Sequence, residues 1–177
     1  MNRRLKASSM SADATLLMMA GLPGTGKSTL ALEVGKVLGW PVIDKDVFKS
    51  TLLEGGLPEA TAASLAYELS ENLLVRQRHS VILDTPLTYK GTLGRAQEFA
   101  GSINAALRVV FCHCDADIRD WRMNRRSGKV SQPKGLKDPG GNPDVSFSHL
   151  PDGTLRVDTS QPVDTLVKQV LTHLQSS

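Results

Sequence analysis

The chain of 177 residues predicts a three-layer α/β/α sandwich around a five-stranded parallel sheet, and three observations carry that prediction. Residues 21–28 read GLPGTGKS, set between a short apolar run and a helix-patterned stretch. Short apolar runs then alternate with helical periodicity to the end of the chain. The composition, 40% apolar and 22% charged, suits one domain able to bury a sizeable core. Strands separated by helices pair in parallel, and helices cover both faces of such a sheet.

Residues 1–13 are expected to form a flexible extension ahead of a single domain spanning 14–177. The basic start Met1-Asn2-Arg3-Arg4-Leu5-Lys6 imitates the head of a signal peptide. However, the apolar run that follows is too short and leads straight into the glycine loop. No stretch is long and apolar enough to span a bilayer, so a cytoplasmic location is expected. The net charge of +3 and pI near 9.0 suit polyanionic ligands but are too small to argue for nucleic-acid binding.

The run Leu16 to Ala20 reads as the first strand and residues 27–38 as the first helix, ending near Gly39. Between them lies the pattern G-x-x-x-x-G-K-[ST]. Gly21, Gly24 and Gly26 let the chain wrap around an oxyanion, so that Gly21, Leu22, Pro23, Gly24, Thr25, Gly26, Lys27, Ser28 and Thr29 form a phosphate cradle at the start of the helix. Lys27 is placed on the β- and γ-phosphates of ATP and Ser28 on Mg²⁺. A glycine-rich turn without a ligand is the plain alternative. A chance match at all four fixed positions is on the order of one percent or less.

A second strand at Pro41-Val42-Ile43 precedes Asp44-Lys45-Asp46-Val47-Phe48-Lys49, and helix is expected at 46–54 and 58–78. Leu65, Leu69, Leu73 and Leu74 form an apolar stripe assigned to the core. At the carboxyl end of a parallel strand, Asp46 can take the proton of an acceptor hydroxyl, with Lys49 on the same helix face. Helix capping competes for either aspartate, and Asp44 is the substitute base.

The third strand, Ser80-Val81-Ile82-Leu83, runs into Asp84, a carboxylate suited to Mg²⁺. Thr85, Thr88 and Tyr89 follow as candidate acceptor contacts. Helix is expected at 89–101 and strand at 107–114. There Cys112 and Cys114 flank His113, and alternation turns the histidine away from the thiols. Small buried strand residues explain the cysteines better than a metal site, and neither zinc nor a disulfide is expected. A helix at 115–126 carries Arg119, Arg122, Arg125 and Arg126. Arg122 and Arg126, four apart, can meet the phosphates unless they only line a solvated face. Residues 127–153, dense in Pro and Gly, read as a mobile lid. A last strand at 155–157 and a helix at 163–174 complete the pattern.

GLPGTGKST, IDKDVFK, VILDT, WRMNRR and VDTSQP together resemble the small P-loop kinases grouped with zeta toxins, chloramphenicol phosphotransferase and the kinase domain of polynucleotide end-healing enzymes, over residues 15 to 175. The resemblance implies a P-loop NTPase fold of the nucleotide-kinase type and transfer of a phosphoryl group from ATP, with Mg²⁺, to a hydroxyl. It implies Asp46 as base and lid arginines Arg122 and Arg126 on phosphates, with adenine near Thr159-Ser160-Gln161-Pro162. Lys49 stands where the group commonly has Arg, which keeps the charge but loses the bidentate fork. The short chain favours a small hydroxylated acceptor over a polymer. A nucleoside monophosphate kinase would need a second anion site, which Lys45, Lys49 and Arg95 could supply. From another class, a nucleotide switch acting through a protein partner is the alternative, although no guanine-specificity motif such as N-K-x-D is present.

Overall fold

A computed structural model of the protein describes residues 14–58, 61–85, 87, 90–125 and 147–176. The expected extension at 1–13, the candidate contacts Thr88 and Tyr89, Arg126 and most of the expected lid lie outside the described residues. Five parallel strands, β1 (Thr15–Ala20), β2 (Val42–Asp44), β3 (Val81–Asp84), β4 (Ala106–His113) and β5 (Leu155–Asp158), form one sheet in the order β2-β3-β1-β4-β5. The helices are α1 (Lys27–Leu38), α2 (Lys45–Glu54), α3 (Thr61–Glu71), α4 (Lys90–Ser102), α5 (Ala116–Asn124) and α6 (Val163–Gln175). The α/β/α sandwich read from the sequence is the fold observed.

The two sheet faces have separate cores because alternate residues of each strand point opposite ways. Leu17, Met19, Ile82, Val110, Cys112 and Val157 meet α1 through Leu30, Ala31 and Val34, and α6 through Leu166, Val167 and Val170. Leu16, Met18, Val81, Leu83 and Val109 meet Ala66, Tyr67 and Leu74 of the α3 region and Leu93 and Ala96 of α4. β1 is central and inaccessible along Leu16 to Ala20, and each such large side chain contributes about 1.5–3 kcal/mol through burial. This is why its run is apolar without alternation.

Three expectations change. The long helix at 58–78 begins at Thr61 as α3 and ends in a π-helical turn over Asn72–Arg76. The buried face is Ala66, Ser70 and Leu74, four apart, whereas Leu69 is 39% exposed and turned out of the core. Ser70 tolerates burial because its hydroxyl donates to Ala66 O at 2.7 Å. Asp84 is the last residue of β3 and lies in register with Asp44, so both carboxylates belong to strand ends. Finally, residues 147–153 of the expected lid pack down: Leu150 is buried, and the Phe147 ring stands 4.6 Å from that of Phe111.

Cys112 and His113 take opposite faces, the first fully buried and the second exposed. Burial pushes the Cys112 thiol up to about 12, which keeps it neutral and unreactive.

Candidate active site

The carboxyl ends of β1, β2, β3 and β5 converge on one corner. β1 ends in the phosphate loop, held by a single carbonyl: Leu22 O accepts from Thr25 N at 3.3 Å, Thr25 Oγ1 at 2.7 Å and Lys27 Nζ at 2.8 Å. At Gly24, with φ +83°, a Cβ would stand 2.8 Å from Met123 Cγ and 2.9 Å from Arg119 Cγ. Glycine is required there because α5 lies directly against the loop. The N-terminus of α1 has Gly26 as its cap residue, with no side-chain cap and no acidic residue in its first turn. Its unmatched N–H groups and dipole therefore favour an external anion. Thr29 is exposed one residue beyond Ser28.

α2 begins differently. Asp44 Oδ1 accepts from Asp46 N at 2.8 Å, which makes Asp44 the helix cap and leaves Asp46 in the first turn. The cap role, which the sequence left open between these two aspartates, thus falls to Asp44. Lys49 lies one turn further along α2, half-buried.

Asp84 joins these parts. It is only 5% exposed, and burial raises its pKa above the usual aspartate range. A hydrogen bond from Ser28 and the nearby Lys27 charge oppose that rise, while Asp44 and Asp46 add to it. The two residues nominated for Mg²⁺ are therefore in direct contact, facing the loop lysine and both post-β2 carboxylates. A buried carboxylate beside a hydroxyl suits a divalent cation that keeps waters and takes phosphate oxygens as further ligands. Among the described residues no cluster of three His, Cys, Asp or Glu could hold a metal by itself.

On the other side of the loop, Arg122 donates from Nη1 to Thr159 Oγ1 at 3.0 Å and from Nη2 to Thr159 O at 2.8 Å. A Cβ on Gly26 would lie 3.4 Å from Arg122 Nη1, so the guanidinium sits at the rim of the phosphate loop while tying α5 to the β5–α6 turn. In that turn Ser160 N donates to Asp158 Oδ1 at 3.0 Å. Its backbone and side-chain hydrogen bonds hold the Asp158 carboxyl below the usual range. Gln161 Oε1 accepts from Gln169 Nε2 at 3.3 Å. Arg125 lies over the Trp121 ring at 4.5 Å, away from this strap.

Sequence reasoning missed several contacts. The Arg122–Thr159 strap joins positions 37 residues apart; the sequence marks Thr159 only as part of the loop after the last strand, and its tie to Arg122 has no sequence signal. Leu87 is buried with φ +48°, a costly conformation for a branched side chain, and His149 Nε2 donates to its carbonyl at 3.0 Å. No local pattern marks either residue. Tyr67 is hidden in a helix pattern, yet its ring reaches the site under Arg95.

A parallel sheet ending in a glycine loop, with a lysine, a hydroxyl and a buried carboxylate at its mouth, defines a P-loop nucleotide-binding protein. The chain belongs to the AAA_33 family (AAA domain), which it matches over residues 16–137. Uncharacterized proteins of Mycobacterium tuberculosis and Mycobacterium bovis are 29% identical over 128 residues, covering 64% of this chain. The match covers only 26% of their length. Among solved structures, a putative kinase of Chloroflexus aurantiacus superposes with a TM-score of 0.71 at 23% identity, covering 91% of this chain and 98% of that one. The APS kinase of Mycobacterium tuberculosis in complex with AMPPNP and APS gives 0.63 at 18% identity, covering 92% and 98%. At these identities the structural likeness concerns the fold. Among the described residues no helix is long and apolar enough to cross a membrane.

Proposed function

We propose that the protein is an ATP-dependent, Mg²⁺-requiring kinase acting in the cytoplasm, which transfers the γ-phosphoryl group to a hydroxyl of a small acceptor. The observation that carries this reading is the convergence on Asp84 of Lys27 and Ser28 from one side and of Asp44 and Asp46 from the other. Phosphate-binding groups and a candidate base flank one carboxylate, which are the parts that phosphoryl transfer uses. The AMPPNP and APS bound in the APS kinase of the same fold, and this chain's own AAA_33 match, support the same direction.

The loop amides, the α1 N-terminus and Lys27 hold the triphosphate. Ser28 and Asp84 are the residues that would hold Mg²⁺, which supplies charge neutralisation on the phosphate oxygens. Asp46 accepts the proton of the acceptor hydroxyl as that oxygen bonds to the γ-phosphorus. The bond from that phosphorus to the β,γ-bridging oxygen breaks, and ADP departs with the electron pair. Arg122, with Arg126, stabilises charge on the transferring group, Lys49 holds the acceptor side, and adenine rests by Ser160 and Gln161.

ADP release from Mg-ATP, measured against pools of small hydroxylated compounds, tests the reading. One pool should stimulate release, and Lys27→Ala should abolish the stimulation. ATP binding with no stimulation by any pool would instead support a nucleotide switch read by a protein partner.

A further inference from the structure

Beside the reaction corner lies a cavity of about 210 Å³ whose walls come from four separate segments. Lys45 opens α2, Tyr67 comes from α3, Thr85 follows Asp84 directly, and Gly91, Thr92 and Arg95 come from α4. The charges are one-sided, since the described residues of the lining include two cations and no carboxylate. Among the described residues neither Lys45 nor Arg95 has a carboxylate within ion-pair distance. α4 adds to the same sign. Its first turn carries Gly91 and Thr92 into the wall and contains no acidic residue, so the positive end of a helix of 13 residues borders the cavity.

Arg95 is aimed by its surroundings. Its guanidinium carbon stands 4.4 Å from the centroid of Tyr67, whose hydroxyl donates to Thr92 O at 3.2 Å and whose ring meets Phe99 edge-on at 6.4 Å. A cation laid on a fixed aromatic face keeps its donors pointing outward, which prepares a planar fork for an oxyanion. The position is informative as well. Lys45 and Asp46 are consecutive, and so are Asp84 and Thr85, so the cavity begins where the metal corner and the candidate base end.

We propose that this cavity recognises an anionic group on the acceptor, a carboxylate or a phosphate gripped by Arg95 and Lys45, so that the hydroxyl at the other end of the same molecule meets Asp46. The inference rests on the kinase reading for the fate of that hydroxyl, but the anion site stands on its own geometry. The size narrows the class. Some 210 Å³ is about seven waters' share of liquid volume and lies below the range of roughly 300–1,000 Å³ for drug-sized sites. A compact hydroxy acid or sugar phosphate fits that description, and a polymer end does not.

The test compares matched pools over the full chain with Mg-ATP: sugar acids and other hydroxy acids, sugar phosphates, and nucleoside monophosphates, against neutral sugars, polyols and nucleosides. One anionic pool should stimulate ADP release and its neutral counterpart should not; the pool that works separates carboxylate from phosphate. With the acceptor found, Arg95→Ala and Lys45→Ala should each raise its KM by roughly ten- to a hundred-fold while the KM for ATP stays unchanged, and Arg95→Lys should recover part of the loss. Equal stimulation by a neutral pool, or an acceptor KM unmoved in Arg95→Ala, overturns the proposal. Thermal shifts with the same anionic compounds, without nucleotide, separate the two readings. Stabilisation that disappears in Arg95→Ala upholds the anion site even where no pool is phosphorylated, and its absence together with no stimulation removes both.

Discussion

The proposed nucleotide end and the proposed acceptor end of this site are built by different means. At the proposed ATP end the recognising groups are largely backbone: a loop tied to Leu22 O, an α1 N-terminus without a side-chain cap, and a glycine at 24 that lets α5 lie where a Cβ would clash. At the acceptor end they are side chains from α2, α3, α4 and β3, brought together only by folding. Backbone recognition of a phosphate is written in a few consecutive residues and tolerates little variation. Side-chain recognition from scattered segments can change with the acceptor while the sheet stays the same.

The sharpest break in that comparison comes from the paired aspartates after β2. Asp46→Asn should lower kcat by roughly a hundred- to ten-thousand-fold with ATP affinity retained, since general base catalysis is worth about that much. Asp44→Asn should change kcat at most a few-fold, because asparagine caps a helix as well as aspartate. Stopped-flow transfer and equilibrium ATP binding on both variants check this, and equal losses in the two would remove the division of roles.

Gly24→Ala tests the backbone end. The added Cβ meets Met123 and Arg119 at φ +83°, a strain of about 1–3 kcal/mol that α5 can relieve only by leaving the loop. ATP affinity should fall by roughly ten-fold or more, with acceptor binding measured without nucleotide unchanged. Arg122→Ala should be milder. It removes two hydrogen bonds to Thr159, so the KM for ATP should rise about ten-fold, and Arg122→Lys should not restore both bonds.

The smallest expected effect concerns stability. Asp84 has a raised pKa in the folded chain, so the native state holds that proton more tightly than the unfolded one. Stability is then greatest below the usual aspartate pKa and falls as pH rises through the raised value. Asp84→Asn should remove that slope and raise Tm at neutral pH by about 2–4 °C for each kcal/mol recovered. Thermal denaturation across the acid range checks the sign, and a lower Tm at neutral pH would contradict it.

How much of this was legible follows the same division. The fold, the loop and the strand-end positions of Asp84 and Asp44 could be read, because each is set by a short local pattern. The core stripe through Leu69 could not, because Leu65 and Leu69 are four apart yet sit beside the face that Ala66, Ser70 and Leu74 bury. The π-helical turn at Asn72–Arg76 then shifts the phase again. Lys45 and Arg95 stand out in the sequence, with Lys49, as groups able to supply a second anion site, but no pattern over the 50 positions between them shows that these two line one cavity. The aromatic platform under Arg95 and the hold of His149 on Leu87 have no sequence signature, since each depends on the packing of helices and loops rather than on spacing.

The most direct test of the kinase assignment is detection of the product itself. Wild-type protein, Mg-ATP and the stimulating pool, analysed by mass spectrometry and phosphorus NMR, should yield ADP with one phosphorylated acceptor in equal amount, and Asp46→Asn should yield neither above background. ADP with free phosphate and no phosphorylated compound would contradict the account and make the protein an NTPase.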